Sequence, residues 1–143
     1  MYYRFANLRF ECTQCGRCCT GRPGDVIAVN QAEQAAIVRF LAITAAWFKR
    51  RYLWRSDDGN DSVRLNDDGR CSFLDKTGKC RVYPVRPVQC RTYPFWPELV
   101  ASKAAWEKEA RACEGIGRGP IVSRERIDAA LDQEAAVGRT VRD

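Results

Sequence analysis

Eight cysteines with no histidine, short apolar stretches punctuated by turn residues, and several well-capped amphipathic segments predict an α+β fold. The expected architecture is a small single domain over residues 1–143. Short strands, loops and about four helices pack around a cysteine-ligated metal centre. The length suits one domain, 45% hydrophobic residues suffice for a core, and 29% charged residues is ordinary for a globular chain.

The elements follow in chain order. Tyr2, Tyr3, Phe5, Leu8 and Phe10 suit a short extended segment beside the first cysteines. Gly21, Pro23 and Gly24 mark a turn, and residues 26–29 (Val-Ile-Ala-Val) read as a strand. Asn30 followed by Glu33 has the form of a capping box, so a helix begins at Gln31. Its apolar face is Ala36, Ile37, Phe40, Leu41 and Ile43. Thr44 caps a second helix over residues 45–53, and Lys49, Arg50 and Arg51 suit its C-terminal end. Residues 56–61 are a polar loop that lacks the ligand pattern of a calcium loop. A strand is predicted over 62–65 and a turn over 66–69. Residues 71–74 and 80–83 flank a turn at Gly78, a hairpin that brings Cys71 and Cys80 together. A turn or two of helix over 88–91 presents Cys90. Ser102 caps a helix over 103–112 that delivers Cys113, with Gly115, Gly117 and Gly119 ending it. Ser123 caps a last helix over 124–137, with Ile127, Leu131 and Ala135 inward, and the final residues fray.

The cysteines carry the chemistry. Cys12, Cys15, Cys18 and Cys19 lie in one short loop, and Cys71, Cys80, Cys90 and Cys113 form a dispersed second group. Short spacings let one loop aim several sulfurs at one point, as metal and cluster sites require. Adjacent side chains diverge, so Cys18 and Cys19 do not bind one ion in the same way. Cys12, Cys15 and Cys18 match the C-x2-C-x2-C run that wraps a [4Fe–4S] cluster, without the usual x3-C-P continuation. The expected arrangement has these three serving one centre and Cys19 turning to the distant group. One or two such clusters are expected, and zinc is the competing metal. Four-cysteine zinc sites usually pair two C-x2-C knuckles, and only the first group offers them. The lack of histidine excludes mixed Cys–His zinc fingers, His–carboxylate iron sites and imidazole acid–base catalysis.

The segment Met1–Asn7 has no apolar core of a secretory signal, and no run reaches the ~18–20 apolar residues of a membrane helix. The expected location is therefore the cytoplasm, with no membrane partner, where disulfides are rare and clustered cysteines read as metal-binding. The net charge of +6 raises nucleic acid as a partner. Two four-thiolate sites at about −2 each would bring +6 down to about +2, so much of the basic excess balances the metal sites.

Phe10-x-Cys12-x2-Cys15-Gly16-x-Cys18-Cys19 resembles the first signature of the CxxCxxCC cysteine-cluster family, the YkgJ-type zinc- or iron-chelating domain related to flagellin lysine N-methylase. The second signature is similar as well: Cys71-x-Phe73-Leu74, then Cys80-x-Val82-Tyr83-x2-Arg86-Pro87-x2-Cys90-Arg91-x-Tyr93-Pro94-Phe95. Cys113-x-Gly115-Ile116-Gly117-x-Gly119 resembles the third block, and the likeness spans about residues 10–120. The resemblance implies a metal or iron–sulfur protein. Through its methylase relatives it also implies cluster-mediated methyl transfer from S-adenosylmethionine to lysine.

Arg86, Arg91 and Tyr93 sit beside the second group as candidate ligand-binding residues. The arginines either hold a carboxylate or phosphate, or bond loop carbonyls and neutralise thiolates. Phe95 and Trp96 either stack on a base or seal the centre from water. Trp47, Trp54 and Trp106 read as packing residues, and Asp25 and Glu114 as loop carboxylates. Two functional classes result. One is an iron–sulfur enzyme of methyltransferase or redox type, with a protein substrate or redox partner. The other is a non-catalytic zinc-binding structural or interaction module, with a nucleic-acid-binding zinc protein as a lesser variant.

Overall fold

The computed structural model describes residues 1–19, 27–55 and 60–137. The expected turn at Gly21–Gly24, the role of Asp25, Val26 in the first strand, most of the polar loop at 56–61 and the frayed terminus lie outside the described residues. The chain folds as two units, Cys18–Arg91 and Met1–Arg17 with Thr92–Asp143. Each has its own core, and the class is α+β.

In the Cys18–Arg91 unit, α1 (Gln31–Leu41) starts where the sequence predicts. Asn30 accepts from the Glu33 N–H, and the Glu33 carboxylate accepts from the Asn30 N–H. Ile37 is buried, but Phe40 is 47% exposed, so the apolar face is narrower than its periodicity suggests. Thr44 caps α2 (Ala45–Arg51) through the Trp47 N–H. This helix stops two residues short of the predicted end because β2 (Leu53–Arg55) pairs antiparallel with β3 (Asp61–Val63). The predicted 26–29 strand reduces, among the described residues, to a bridge from Ala28 to Ser62. The hairpin at 71–83 is likewise two tight turns joined by a Leu74–Cys80 bridge. Asp75 holds its turn by accepting from the backbone N–H groups of Thr77 and Lys79. Phe48, Tyr52 and Phe73 stack at the centre of this core with Val63 and Val82. α3 (Val88–Thr92) carries Cys90, as expected.

In the other unit, β1 (Arg9–Phe10) pairs antiparallel with β4 (Ile116–Ile121). β4 corrects the expectation that Gly115, Gly117 and Gly119 only end a helix. Gly117 and Gly119 have φ of 89° and 75°, a left-handed backbone that reads as helix-terminating in sequence yet serves an irregular strand here. α5 (Lys103–Ala110) is capped by Ser102, and α6 (Arg124–Val137) keeps its predicted bounds. A short α4 (Pro97–Val100) precedes α5, where the sequence predicts no helix. On α6 Ile127 is buried, but Ala135 is exposed. Glu134 takes the inward place, and the Thr92 hydroxyl donates to it at 2.6 Å. Phe95 packs between Phe10 and Trp106 in this core, with Tyr3, Leu8 and Val122. Among the described residues no helix is long and apolar enough to cross a membrane.

Candidate metal centre

The sulfurs of Cys18, Cys71, Cys80 and Cys90 share one electrostatic neighbourhood. Cys90 is held well above the ordinary thiol range by burial, then by the nearby sulfurs of Cys71, Cys18 and Cys80. Cys71 is pushed up to about 11 by burial, with Cys80 and Cys18 adding to the shift. Cys80 is raised chiefly by burial, with a further push from Cys18. Cys18 keeps an exposed face. Its thiol is raised first by a hydrogen bond with the Cys19 thiol, then by crowding from protein atoms. These four thiols influence one another electrostatically from four separate points in the chain.

Local backbone favours negative charge on these sulfurs. Cys71 opens a turn closed by the Leu74 N–H on the Cys71 carbonyl at 3.0 Å. Within it the Phe73 N–H points at the Cys71 sulfur and favours its thiolate. The Val82 N–H does the same for Cys80. Cys12 repeats the pattern in the other unit, its sulfur accepting from the Gln14 N–H at 3.4 Å. A left-handed Gln14 at φ 55° and Gly16 at φ 80° shape that turn. A donor two residues on is thus a recurring device at Cys12, Cys71 and Cys80.

Arg86 supplies the positive charge. Its guanidinium favours the thiolates of Cys18, Cys80 and Cys90. Its Nε donates to the Tyr83 carbonyl at 2.9 Å, and the group lies 3.7 Å over the Tyr83 ring. Both parts of the simpler sequence reading, carbonyl bonding and thiolate neutralisation, describe it. Arg91 is exposed on α3.

The doublet divides its roles. Both cysteines belong to the Cys18–Arg91 unit. Sequence spacing pairs Cys18 with Cys12 and Cys15 and sends Cys19 to the distant group. In the structure the Cys18 sulfur acts electrostatically on Cys71, Cys80 and Cys90. Cys19 packs against the core and accepts the Cys71 N–H on its carbonyl at 2.7 Å.

In the other unit, β1 and β4 bring the first and last cysteine blocks together. The Glu11 N–H donates to the Gly115 carbonyl at 3.1 Å, and the Thr13 hydroxyl donates to Glu114. Cys12 and Cys15 are exposed, and Cys113 is half-buried. The Tyr93 hydroxyl donates to Glu109. Burial raises Tyr93, and the Glu109 hydrogen bond and the Cys113 sulfur add to the shift. Trp96 packs edge-on to Tyr93. Glu109 escaped the sequence reading. It stands four residues before Cys113, one helical turn away, and that spacing was its only signal.

Among the described residues no three Cys, Asp or Glu side chains are drawn together as a ready cage for an ion. The donor chemistry nonetheless fits a thiolate-bound metal. A cation relieves the mutual crowding of four sulfurs and deprotonates them. A second observation agrees: the buried Ser72 hydroxyl, next to Cys71 in sequence, finds no hydrogen-bond partner among the described residues, and a metal-bound sulfur is an acceptor for it.

Comparison with known proteins bears on the same residues. Residues 11–114 match the CxxCxxCC family, described as "Putative zinc- or iron-chelating domain". An uncharacterized protein of Methanocaldococcus jannaschii is 35% identical over 116 residues, 78% of this chain. The match spans 60% of that relative's length. No solved structure matches the chain.

Proposed function

The chain belongs to the CxxCxxCC family of zinc- or iron-chelating domains and is a metal-binding protein, and from that premise we propose that Cys18, Cys71, Cys80 and Cys90 hold a [4Fe–4S] centre. The observation that carries this is the common neighbourhood of these four thiols beside Arg86. Four thiolates are the usual complement of such a cluster. The absence of a paired C-x2-C motif within the Cys18–Arg91 segment is unlike common four-cysteine zinc sites. When bound, the centre would supply electron transfer or an iron site for a methyl donor such as S-adenosylmethionine. The chain's own residues have other tasks. Phe73 and Val82 are buried and exclude water from the turns that carry Cys71 and Cys80. Their N–H groups favour the thiolates, and Arg86 offsets part of the negative charge. The cytoplasm suits this chemistry.

A second reading, a zinc-binding structural or interaction module, is favoured by the Cys12–Cys15 turn with its N–H aimed at sulfur. Anaerobic purification followed by iron, acid-labile sulfide and zinc analysis with a visible spectrum separates the two. About four irons and four sulfides per chain support the cluster. Zinc without sulfide sinks it. A spectral change on adding S-adenosylmethionine supports methyl transfer, and an unchanged spectrum leaves electron transfer as the favoured chemistry.

A further inference from the structure

Residues 34–56 run through α1, α2 and β2 with Arg39, Lys49, Arg50, Arg51 and Arg55 and not one acidic residue. Large aromatics stand out of the same stretch. Trp47 is 46% exposed and Trp54 45% exposed, although the nearby core has room for Phe48, Tyr52 and Leu53. Trp47 and Arg50 are three residues apart on α2 and therefore neighbours on its surface, while Phe48 turns to the core. The Arg50 guanidinium lies 5.4 Å from the centre of the Trp47 ring, and that of Arg51 lies 5.1 Å from the Tyr52 ring. Arg55 is engaged by Asp61 at 3.2 Å, and Lys49 also lies in the field of Asp61. Among the described residues Arg50 and Arg51 form no ion pair, and Arg50 stands beside an exposed indole.

Flat aromatic faces interleaved with cations are the recognition chemistry of unpaired nucleobases on a phosphate chain. We propose that the exposed side of α2, with the adjoining β2, docks single-stranded nucleic acid. A base stacks on Trp47, another on Trp54, and Arg50 and Arg51 meet phosphates. A bilayer is the weaker match, because α2 spans only Ala45–Arg51, too short to lay an amphipathic face into a lipid interface. The surface uses residues other than the thiols and adds a partner to the metal chemistry.

Fluorescence anisotropy of a labelled oligouridylate of about 12 nucleotides, titrated with full-length protein at several salt concentrations, tests it. Saturable binding is expected, with log K falling against log[salt] at a slope of about −1.4 for two phosphates on a single strand. Trp47→Ala weakens binding about tenfold. The exposed double variant Arg50→Gln/Arg51→Gln folds as the parent by circular dichroism, keeps its metal content and abolishes the salt slope. Three results overturn the proposal: no saturable binding at low salt, unchanged affinity in the folded double variant, or binding to phosphatidylserine vesicles in place of the oligonucleotide.

Discussion

Replacing Gly115 with alanine is expected to pry β1 from β4 and displace the loop that carries Cys12. A Cβ built on Gly115 lies 2.2 Å from the Glu11 carbonyl oxygen and 3.1 Å from the Phe10 ring. Real Cβ atoms essentially never approach within 3.0 Å, so the strands separate by at least 0.8 Å. A shift of that size stretches the 3.1 Å bond from the Glu11 N–H to the Gly115 carbonyl to about 3.9 Å, beyond hydrogen-bonding range. Losing that bond costs about 1 kcal/mol, and disturbing the packing of Phe10 adds another 1–2 kcal/mol. The total, about 2–3 kcal/mol, lowers the melting temperature by about 10 °C for a chain of this size. Gly117→Ala is the internal comparison. Nothing lies within 4 Å of its added Cβ, so only the left-handed φ of 89° resists it, at about 1 kcal/mol. Thermal unfolding followed by circular dichroism reads both. A Gly115→Ala protein as stable as the parent, or no less stable than Gly117→Ala, refutes the close-approach argument.

Further outcomes follow from the site and its support. Cys90→Ser loses metal and much of the fold of residues 18–91, because metal affinity becomes folding free energy; a soluble variant with full metal content contradicts this. Arg86→Gln weakens metal retention about tenfold against a chelator, since it removes the cation beside Cys18, Cys80 and Cys90; an unchanged competition curve rules out the charge role. Asp61 sits below the usual carboxylate range, first because Gln34 donates to it at 2.7 Å and further because of Arg55. A depressed folded-state value means stability that is present above the ordinary value near 4 and lost as pH falls through the lower folded value. Asp61→Asn is therefore less stable than the parent at pH 7 by urea denaturation, with a gap that closes below about pH 4; a gap constant with pH excludes this linkage.

Much of the fold was legible because capping is local. Asn30 with Glu33, Thr44, Ser102 and Ser123 each begin a helix at the predicted residue. β2 and β4 were not legible. β2 follows the basic run that reads as a helix end, and β4 carries positive-φ glycines that read as a turn; pairing with β3 and β1 overrides those local readings. The outward turn of Phe40 and the inward turn of Glu134 depend on partners that periodicity does not see.

The amino-acid sequence by itself determined the chemistry: eight thiols, no imidazole, family-like spacing and the arginines of the second block, Arg86 and Arg91. It also determined where helices begin, because a cap bonds a backbone only a few residues away. The tertiary structure alone decided which thiols share one electrostatic neighbourhood. Cys18, Cys71, Cys80 and Cys90 become neighbours through turns and a core that close loops of nine to fifty-odd residues, and a spacing that long does not specify a distance. It likewise decided that Trp47 and Arg50 face outward together, since exposure reflects what remains after the core has chosen Phe48.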